Sequence, residues 1–430
     1  MWISKIIIMN KEYICVMFPY PSGDGLHVGH VYNYAIIDSY CKWRRYNGID
    51  VFQPFGYDSF GLPAENYAKK HNRDAREVTY ENIENFRTQM KTMNTDYEEL
   101  LITSDTSYYK WSQWLFSELL SKGLAYKKMG PVNHCSSCET VLANEQVKDD
   151  KCDRCGTVVE VKNLEQWYFK ITDYKQRLID GLKTVDYPEK TKKQQLHWLD
   201  NLQDWCVSRQ RIWGSPIPLE NETDTLDTFV DSSFYYLRYL DPNNNDKLLD
   251  FSKHQQVDLY VGGNEHACMH LIYARFINMF LFDCGYISTE EPFKKLIHQG
   301  MITYKGEKMS KSKGNVINPD DYDSDELRLY SMFIGHYFDG GDWNDDNIIG
   351  IRRFIGRFKK WINEATDDGI SIEIIQFENK IDNFVSTFKF NKVISTFMEF
   401  YNLHKNIKID KVTANKLIEI FKVFAPSFKL

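Results

Sequence analysis

Three groups of residues stand out by type and spacing. The first is Pro19-Tyr-Pro-Ser-Gly-Asp-Gly-Leu-His27-Val-Gly29-His30, where two histidines three apart follow a breaker-rich turn and open a helical pattern. Residues so spaced share a helix face, so both imidazoles stand beside the first-turn amides, a place suited to an anion. Gly29 between them removes a side chain where a ligand could approach the backbone. The second is Gly306-Glu-Lys308-Met-Ser-Lys311-Ser-Lys313-Gly314, a polar loop hinged by glycines. Its lysines could close over polyphosphate and stabilise the charge growing on a leaving group. The third is Cys135-x2-Cys138-x13-Cys152-x2-Cys155, with the knuckle spacing of a structural four-cysteine zinc site. His134 is adjacent and could replace one thiolate. Alone, a histidine pair or a lysine loop is ordinary solvated surface; the cysteine spacing is the specific signal of the three.

The elements that must hold these residues read as α/β. Glu12 to Phe18 is a short apolar strand, Val28 to Asn47 a helix with Gly48 where a C-terminal cap belongs, and Asp50 to Phe55 a second strand. That βαβ unit implies a parallel sheet with helices on its faces, and makes the loop after the first strand a switch-point candidate. The cysteine module interrupts the periodicity between Lys128 and Lys162, and Leu164 to Ile171 returns to strand composition. Val257 to Val261, Gly262-Gly263 and an apolar helix from about Glu265 to Phe282 repeat the strand, glycine loop, helix plan. Beyond Asn347 only amphipathic helices are expected, over Ile351 to Glu364, Asn379 to Tyr401 and Lys411 to Phe424. The division that follows is residues 1–127 and 163–345 as two halves of a Rossmann-like domain, 128–162 as a zinc module, and 346–430 as a helical domain.

The 430 residues, 43% hydrophobic and 26% charged, have the balance of a folded chain. A net charge of -7 excludes nucleic-acid binding by bulk charge. From Ile351 to Leu430, however, there are 14 basic and 9 acidic residues, so a mildly basic C-terminal unit hangs on an acidic body. No apolar run approaches the roughly 18 residues of a membrane span, and no signal peptide is expected after Lys5. Five of the nine cysteines are scattered singly, an odd remainder that suits a reducing cytoplasm.

The first two groups together, HVGH in the N-terminal βα turn and KMSKS far downstream, form the combined signature of class I aminoacyl-tRNA synthetases. Met17 to Gly23, Gly56-Tyr-Asp-Ser-Phe-Gly-Leu-Pro-Ala-Glu65, Val141 to Val147, Trp205-Cys-Val-Ser-Arg-Gln-Arg-Ile-Trp-Gly214 and Gly262-Gly-Asn-Glu-His-Ala-Cys-Met-His270 closely resemble the leucyl-tRNA synthetases over roughly residues 12 to 365. Isoleucyl, valyl and methionyl relatives share the signatures but carry other residues around Asp58.

The resemblance implies an enzyme that joins leucine to ATP as leucyl-adenylate and passes it to the terminal adenosine of tRNA(Leu). Asp58 would pair with the leucine ammonium, bordered by Phe18 and Tyr20, while Phe229, Ser232, Tyr235 and His266 enclose the side chain. Gly29, Gly262, Gly263, Glu265, His270, Gln299 and Met301 would border ATP, with Glu265 and His270 at the ribose and adenylate. His27, His30, Lys308 and Lys311 would spread the transition-state charge with Mg2+, Lys311 being the most rate-sensitive lysine. Zn2+ would be structural. Arg352, Arg353, Arg357, Lys359 and Lys360 crowd one helix and could meet tRNA phosphates. The partners implied are leucine and tRNA(Leu), with no membrane and a monomer as the default.

Two expected parts are missing. The family's large editing domain lies near the segment from Trp167 to Trp205, which is here shorter than 40 residues, and no leucine-specific insertion separates His298 from Lys308. About 80 residues follow Gly350, fewer than a full anticodon bundle with its appendage. A leucyl-adenylate-forming paralogue with a non-tRNA acceptor is therefore the alternative, and a non-enzymatic sensor is a weaker one, because both signatures are whole.

Overall fold

A computed structural model describes residues 11–21, 25–142, 147–152, 155–309 and 314–430, the Pro63 side chain excepted. The first half runs β1 (Glu12–Val16), α1 (Val28–Tyr46), β2 (Val51–Phe52), β3 (Pro54–Tyr57), α2 (Leu62–His71), α3 (Ala75–Thr92), β4 (Glu98–Ile102) and α4 (Thr106–Ser121). A ribbon section follows with β5 (Ala125–Cys135), β6 (Thr140–Leu142), β7 (Val147–Lys148), β8 (Lys151–Cys152) and β9 (Glu160–Phe169). Then come α5 (Lys175–Gly181), α6 (Glu189–Asp200), β10 (Trp205–Cys206), β11 (Ser208–Arg209), β12 (Thr225–Leu226), α7 (Thr228–Ser232) and α8 (Tyr235–Arg238). The second half of the sheet brings β13 (Val257–Val261), α9 (His270–Asp283), β14 (Phe293–Ile297), β15 (Met301–Tyr304), β16 (Glu307–Lys308), α10 (Ser324–Phe333) and β17 (Gly340–Trp343). The helices α11 (Asp345–Asn363), α12 (Ile375–Ser386), α13 (Phe390–His404) and α14 (Lys411–Phe424) end the chain.

The central sheet has the order β14-β13-β1-β2, all parallel, so the two halves of the chain meet between β1 and β13. Alternation along β1 divides two cores. Ile14 and Val16 face α1 and the C-terminal helices, whereas Tyr13 and Cys15 face the layer holding α4, α7 and α9. A doubly covered sheet of this kind explains why Tyr13 to Val16 and Leu259 to Val261 are apolar without a break. The second strand differs from its expected course: Gln53 breaks it, so that β2 pairs with β1 while β3 pairs with β4.

Gly48 does take the left-handed φ of 81°, with Asn47 as the cap before it. The helix expected from Glu265 begins only at His270, because residues 264–266 form a 3-10 turn first. The expected helix over Asn379 to Tyr401 is two, broken at Phe388, whose φ of 55° turns the chain between α12 and α13. Asn344 caps α11 by accepting from the Asp346 amide, which starts that helix before Ile351. Arg328, fully buried on α10, knits the C-terminal helices to α1: its Nη2 lies 2.8 Å from Asp38 Oδ2 and its Nε donates to the Phe424 carbonyl at 3.2 Å. Among the described residues no helix is long and apolar enough to cross a membrane.

Candidate active site

The histidine pair forms the N-terminus of α1. His27 is the N-cap residue; its Nδ1 accepts from the Gly29 amide at 3.0 Å, and His30 Nδ1 accepts from the His27 amide at 3.2 Å. The rings stack with centroids 3.9 Å apart. An Nδ1 that accepts a backbone N–H carries no proton, so each neutral ring bears its hydrogen on Nε2. The helix end thereby presents two N–H donors as well as its own dipole. Gly29 is required by the cap itself, since a Cβ there would lie 2.8 Å from His27 Cε1.

This end is tied to the lysine loop's far side. Gln89 on α3 accepts from the Leu26 amide at 2.7 Å and donates to Asp320 Oδ2 at 3.0 Å, and the Val28 amide donates to the Ile317 carbonyl at 3.2 Å. Gly25, at φ 112°, leaves room for Gln89: a Cβ would come within 2.7 Å of its Oε1. Neither Gln89 nor Asp320 carries a motif, and their pairing across 231 residues is invisible in sequence. On the near side, β15 and β16 form a hairpin turned by Lys305 and Gly306, both at positive φ, and this places Lys308 on an exposed strand. Lys311 lies outside the described residues.

A pocket of about 260 Å³, including its open mouth, lies at the carboxyl ends of β1 and β13, the expected switch point. It is lined by Met17, Phe18, Tyr20, Asp58, Ser232, Tyr235, Tyr260, His266 and His270. Six of the seven residues assigned to leucine thus meet in one place. Phe229 does not line it; its ring packs against Tyr273 at 5.7 Å, one layer behind. His270, expected at the ribose and adenylate, also lines this pocket, 5% exposed and bonded to Ser232 and Tyr260. Met17 and Tyr260 received no role from sequence, although both adjoin singled-out motifs. A Cβ on Gly262 would strike Met17 Sδ at 1.9 Å, so this glycine lets the two strand ends approach.

Asp58 is the pocket's distinctive charge. It is 1% exposed, its described side-chain bond is a long 3.5 Å contact from Thr103 Oγ1, and the described pocket lining holds no Lys or Arg. Burial, then the neighbouring Asp231 and Asp227, push its carboxyl well above the usual range. An acid held this way is completed by an incoming cation. Asp231, fully buried, is itself pushed up to about 8 by burial, although Ser112 Oγ bonds it at 2.5 Å.

Beside the pocket, the ends of β13 and β14 present polar groups to one cleft side. Glu265 is exposed, and its carboxylate folds over Gly263, where a Cβ would lie 2.2 Å from Oε2. Buried Oδ1 of Asn264 and Oε1 of Gln299 have no hydrogen-bond partner, and Met301 is half exposed. Orphaned acceptors at a glycine-rich strand end fit a polar ligand such as a nucleoside. His298 Nδ1 donates to the Gly262 carbonyl at 2.7 Å and its Nε2 meets Thr191 Oγ1 at 2.7 Å, fixing the loop to α6.

Sγ atoms of Cys135, Cys138, Cys152 and Cys155 all lie within 4.8 Å of one another. Four thiolates about 2.3 Å from a zinc ion stand about 3.8 Å apart, so the quartet fits a tetrahedral site. His134 is not in the group; its buried Nδ1 has no partner. On α11, Arg353, Arg357 and Lys360 share an exposed face, whereas Arg352 points elsewhere and pairs with Glu326 at 2.7 Å, and Lys359 is half-buried.

The family model for class I tRNA synthetases (M) matches residues 12–352. The leucine–tRNA ligase of Clostridium kluyveri is 32% identical over 690 aligned positions, covering 97% of this chain and 85% of that protein. The chain belongs to the leucine–tRNA ligase family of class I tRNA synthetases. The Clostridium botulinum enzyme of the same name is 31% identical, with 97% of this chain and 84% of that protein covered. Among solved structures, the leucyl enzyme of Agrobacterium radiobacter K84, in a ternary complex with tRNA and LeuAMS, superposes with a TM-score of 0.87 at 25% identity, covering 97% and 84% of the two chains. A Mycobacterium tuberculosis methionyl-tRNA synthetase shares the fold at a TM-score of 0.75 and 17% identity, over 97% and 92%.

Proposed function

We propose that the chain is a leucine–tRNA ligase that works without an editing domain. The observation that carries the reading is the pocket: a buried carboxylate, with no Lys or Arg among the described lining residues, enclosed largely by apolar and aromatic side chains. Leucine enters with its ammonium on Asp58 and its side chain among Phe18, Tyr235 and His266. Its carboxylate attacks the α-phosphorus of ATP, the bond to the β-phosphate oxygen breaks, and pyrophosphate leaves. His27 and His30 hold that charge with their Nε2 hydrogens, and Lys308 and Lys311 add to it from the loop, because such transfers depend on position and electrostatics. The nucleoside lies along Gly262, Gly263, Glu265 and Gln299 to Met301. Mg2+ enters with the ATP phosphates and adds positive charge there, with no side chain assigned to it. Zn2+ is held by the four cysteines and braces the ribbon. A ribose hydroxyl of the tRNA(Leu) terminal adenosine then attacks the leucyl carbonyl carbon, the bond to the phosphate oxygen breaks and AMP leaves, with Arg353, Arg357 and Lys360 on the tRNA phosphates. Four parts divide this work: residues 1–127 and 163–345 form the catalytic domain, 128–162 the zinc module and 346–430 the tRNA-binding helices. The reaction belongs in the cytoplasm, and the enzyme acts as a monomer.

Absence of editing is supported inside the chain. Between β9 and β10 only α5, α6 and short connections are present. The 690 positions aligned with the Clostridium kluyveri enzyme exceed this chain's 430 residues by 260, the scale of a missing domain. The test is leucine-dependent ATP–pyrophosphate exchange run beside transfer of labelled leucine to total tRNA. Both are expected; exchange without charging would move the reading to another acceptor. Rapid hydrolysis of norvalyl-tRNA by the pure protein would overturn the claim of no editing.

A further inference from the structure

Building on the leucine reading above, we propose that Tyr260 is a positioning and specificity-determining residue: its hydroxyl locks His270 as the Nδ1–H tautomer within a one-way chain of hydrogen bonds, and so closes one pocket wall to polar side chains. The chain is continuous. Tyr235 and Tyr260 hydroxyls lie 2.6 Å apart, Tyr260 Oη is 2.6 Å from His270 Nε2, and His270 Nδ1 is 3.1 Å from Ser232 Oγ. One end meets the Phe229 carbonyl, 3.4 Å from Ser232 Oγ, and the other the Val16 carbonyl, 3.4 Å from Tyr235 Oη.

Two directions satisfy every member. In one, Tyr235 donates to Tyr260, Tyr260 to His270 Nε2, His270 Nδ1–H to Ser232, and Ser232 to Phe229. In the other every proton is reversed, Nε2 carries the hydrogen, and the chain ends on Val16. The lengths choose between them. O–H donors work at about 2.5–3.0 Å and N–H donors at about 2.7–3.2 Å. On these lengths we assign the 2.6 Å link to Nε2 as an O–H bond from Tyr260, and the 3.1 Å link at Nδ1 as an N–H bond to Ser232. Burial supports the neutral ring this requires: His270 is pushed down to about 3 by desolvation, aided by His266.

With this direction set, each of the four groups spends its hydrogen on the next, and none is turned into the cavity that all four border. Tyr235 is held in register by its stack on Phe18, at 3.9 Å and 3°, and Tyr260 by its stack on Phe293, at 3.8 Å and 6°. A polar side chain entering there loses its water and receives no hydrogen from these four groups. Leucine loses nothing. For a chain without an editing domain, this rejection has to be built into the synthetic pocket.

The test uses asparagine, which branches like leucine but carries an amide in place of two methyl groups. In Tyr260→Phe, His270 Nε2 loses its partner, and in the Nε2–H form it can donate to the carbonyl oxygen of that amide. The preference for leucine over asparagine in exchange kcat/KM is expected to fall about tenfold or more, with the leucine KM rising by a larger factor than kcat falls. Selective 15N-histidine spectra of the whole protein should show His270 as Nδ1–H in wild type and lose that form in Tyr260→Phe. Ser232→Ala, which removes the acceptor at the other end, should shift the ring to Nε2–H. A wild-type His270 in the Nε2–H form, or an unchanged preference in a Tyr260→Phe protein with wild-type melting behaviour, overturns the proposal. If Tyr260→Phe does not fold, the wild-type and Ser232→Ala spectra decide. Should wild type lack leucine-dependent exchange, the functional reading fails while the spectra still judge the chain.

Discussion

Asp58→Asn isolates the charge in the amino-acid pocket without changing its shape. In the free protein the Asp58 carboxyl is buried, held by one long contact from Thr103, and faced by Asp231 and Asp227, so its pKa is raised well above the usual range. Asparagine keeps an acceptor for the substrate ammonium but removes the opposite charge. A hydrogen bond to a charged partner is worth about 1.5–3 kcal/mol, so the leucine KM should rise about 10- to 150-fold, with a smaller change in kcat. The pH profile adds a second readout. Ammonium binding requires the ionised carboxylate, so the wild-type KM should fall as pH rises through the raised pKa of Asp58, until the substrate's own amino group loses its proton. The asparagine variant should show no such fall. Stability moves the other way: a carboxyl whose folded pKa is raised costs stability as pH climbs from the unfolded value through the folded one. Free Asp58→Asn should therefore melt higher than free wild type at neutral pH, and leucine should raise its melting temperature less. The assays are pyrophosphate exchange between pH 6 and 9 and thermal melting with and without leucine. A KM within twofold of wild type, or an unchanged pH profile, would refute the assignment of Asp58 to the ammonium.

Substitutions at His27 separate its cap from its chemistry: His27→Asn keeps an acceptor for the Gly29 amide and should lower exchange kcat about 100- to 1,000-fold at near-wild-type stability, whereas His27→Ala should also lose about 1 kcal/mol in urea unfolding. Cys152→Ser should lower bound zinc below one ion per chain by elemental analysis and expose the ribbon between β5 and β9 to protease. Reversing Arg353, Arg357 and Lys360 to glutamate should raise the KM for tRNA about tenfold or more in charging while leaving leucine-dependent exchange at its wild-type rate. Lys311→Ala should reduce the exchange rate far more than leucine binding measured by calorimetry.

Legibility in the sequence followed the range of the interaction. The β1-α1 unit and β13 were readable because period-2 and helical apolar patterns are local, and Val257–Val261 emerges as expected. Cysteine spacing sufficed for the quartet, since ligand geometry restricts spacing within each knuckle. What escaped was set by pairing over long separations. The break at Gln53 follows from β3 finding β4, and the break at Phe388 from a left-handed φ that an apolar pattern does not record. Phe229 and Tyr235 have the same composition and helical spacing, yet one packs behind the pocket and the other in it, a difference made by Tyr273 and Phe18 from distant segments. The groups that aim the motif residues, such as Gln89, Asp320 and Tyr260, had no local signature to read.

The same logic bears on how segments carrying two signatures some 280 residues apart are held together. A donor helps a transition state only if it is placed before charge develops. His27 and His30 are placed by their own backbone, each ring fixed through Nδ1 to an amide of the first turn. Lysines on a flexible stem have no such internal constraint, so their loop must be positioned from its ends. One end is the hairpin of β15 and β16, turned at Lys305 and Gly306 and braced by Asp342 Oδ1, which accepts from Thr303 Oγ1 at 2.6 Å and the Gly306 amide at 2.8 Å. The other end is fastened directly to the histidine helix by the Ile317 carbonyl and, through Gln89, by Asp320. The segment after the lysine motif is therefore fastened to the same helix that holds the histidines. Loosening Gln89 would separate the two signatures without touching a residue of either.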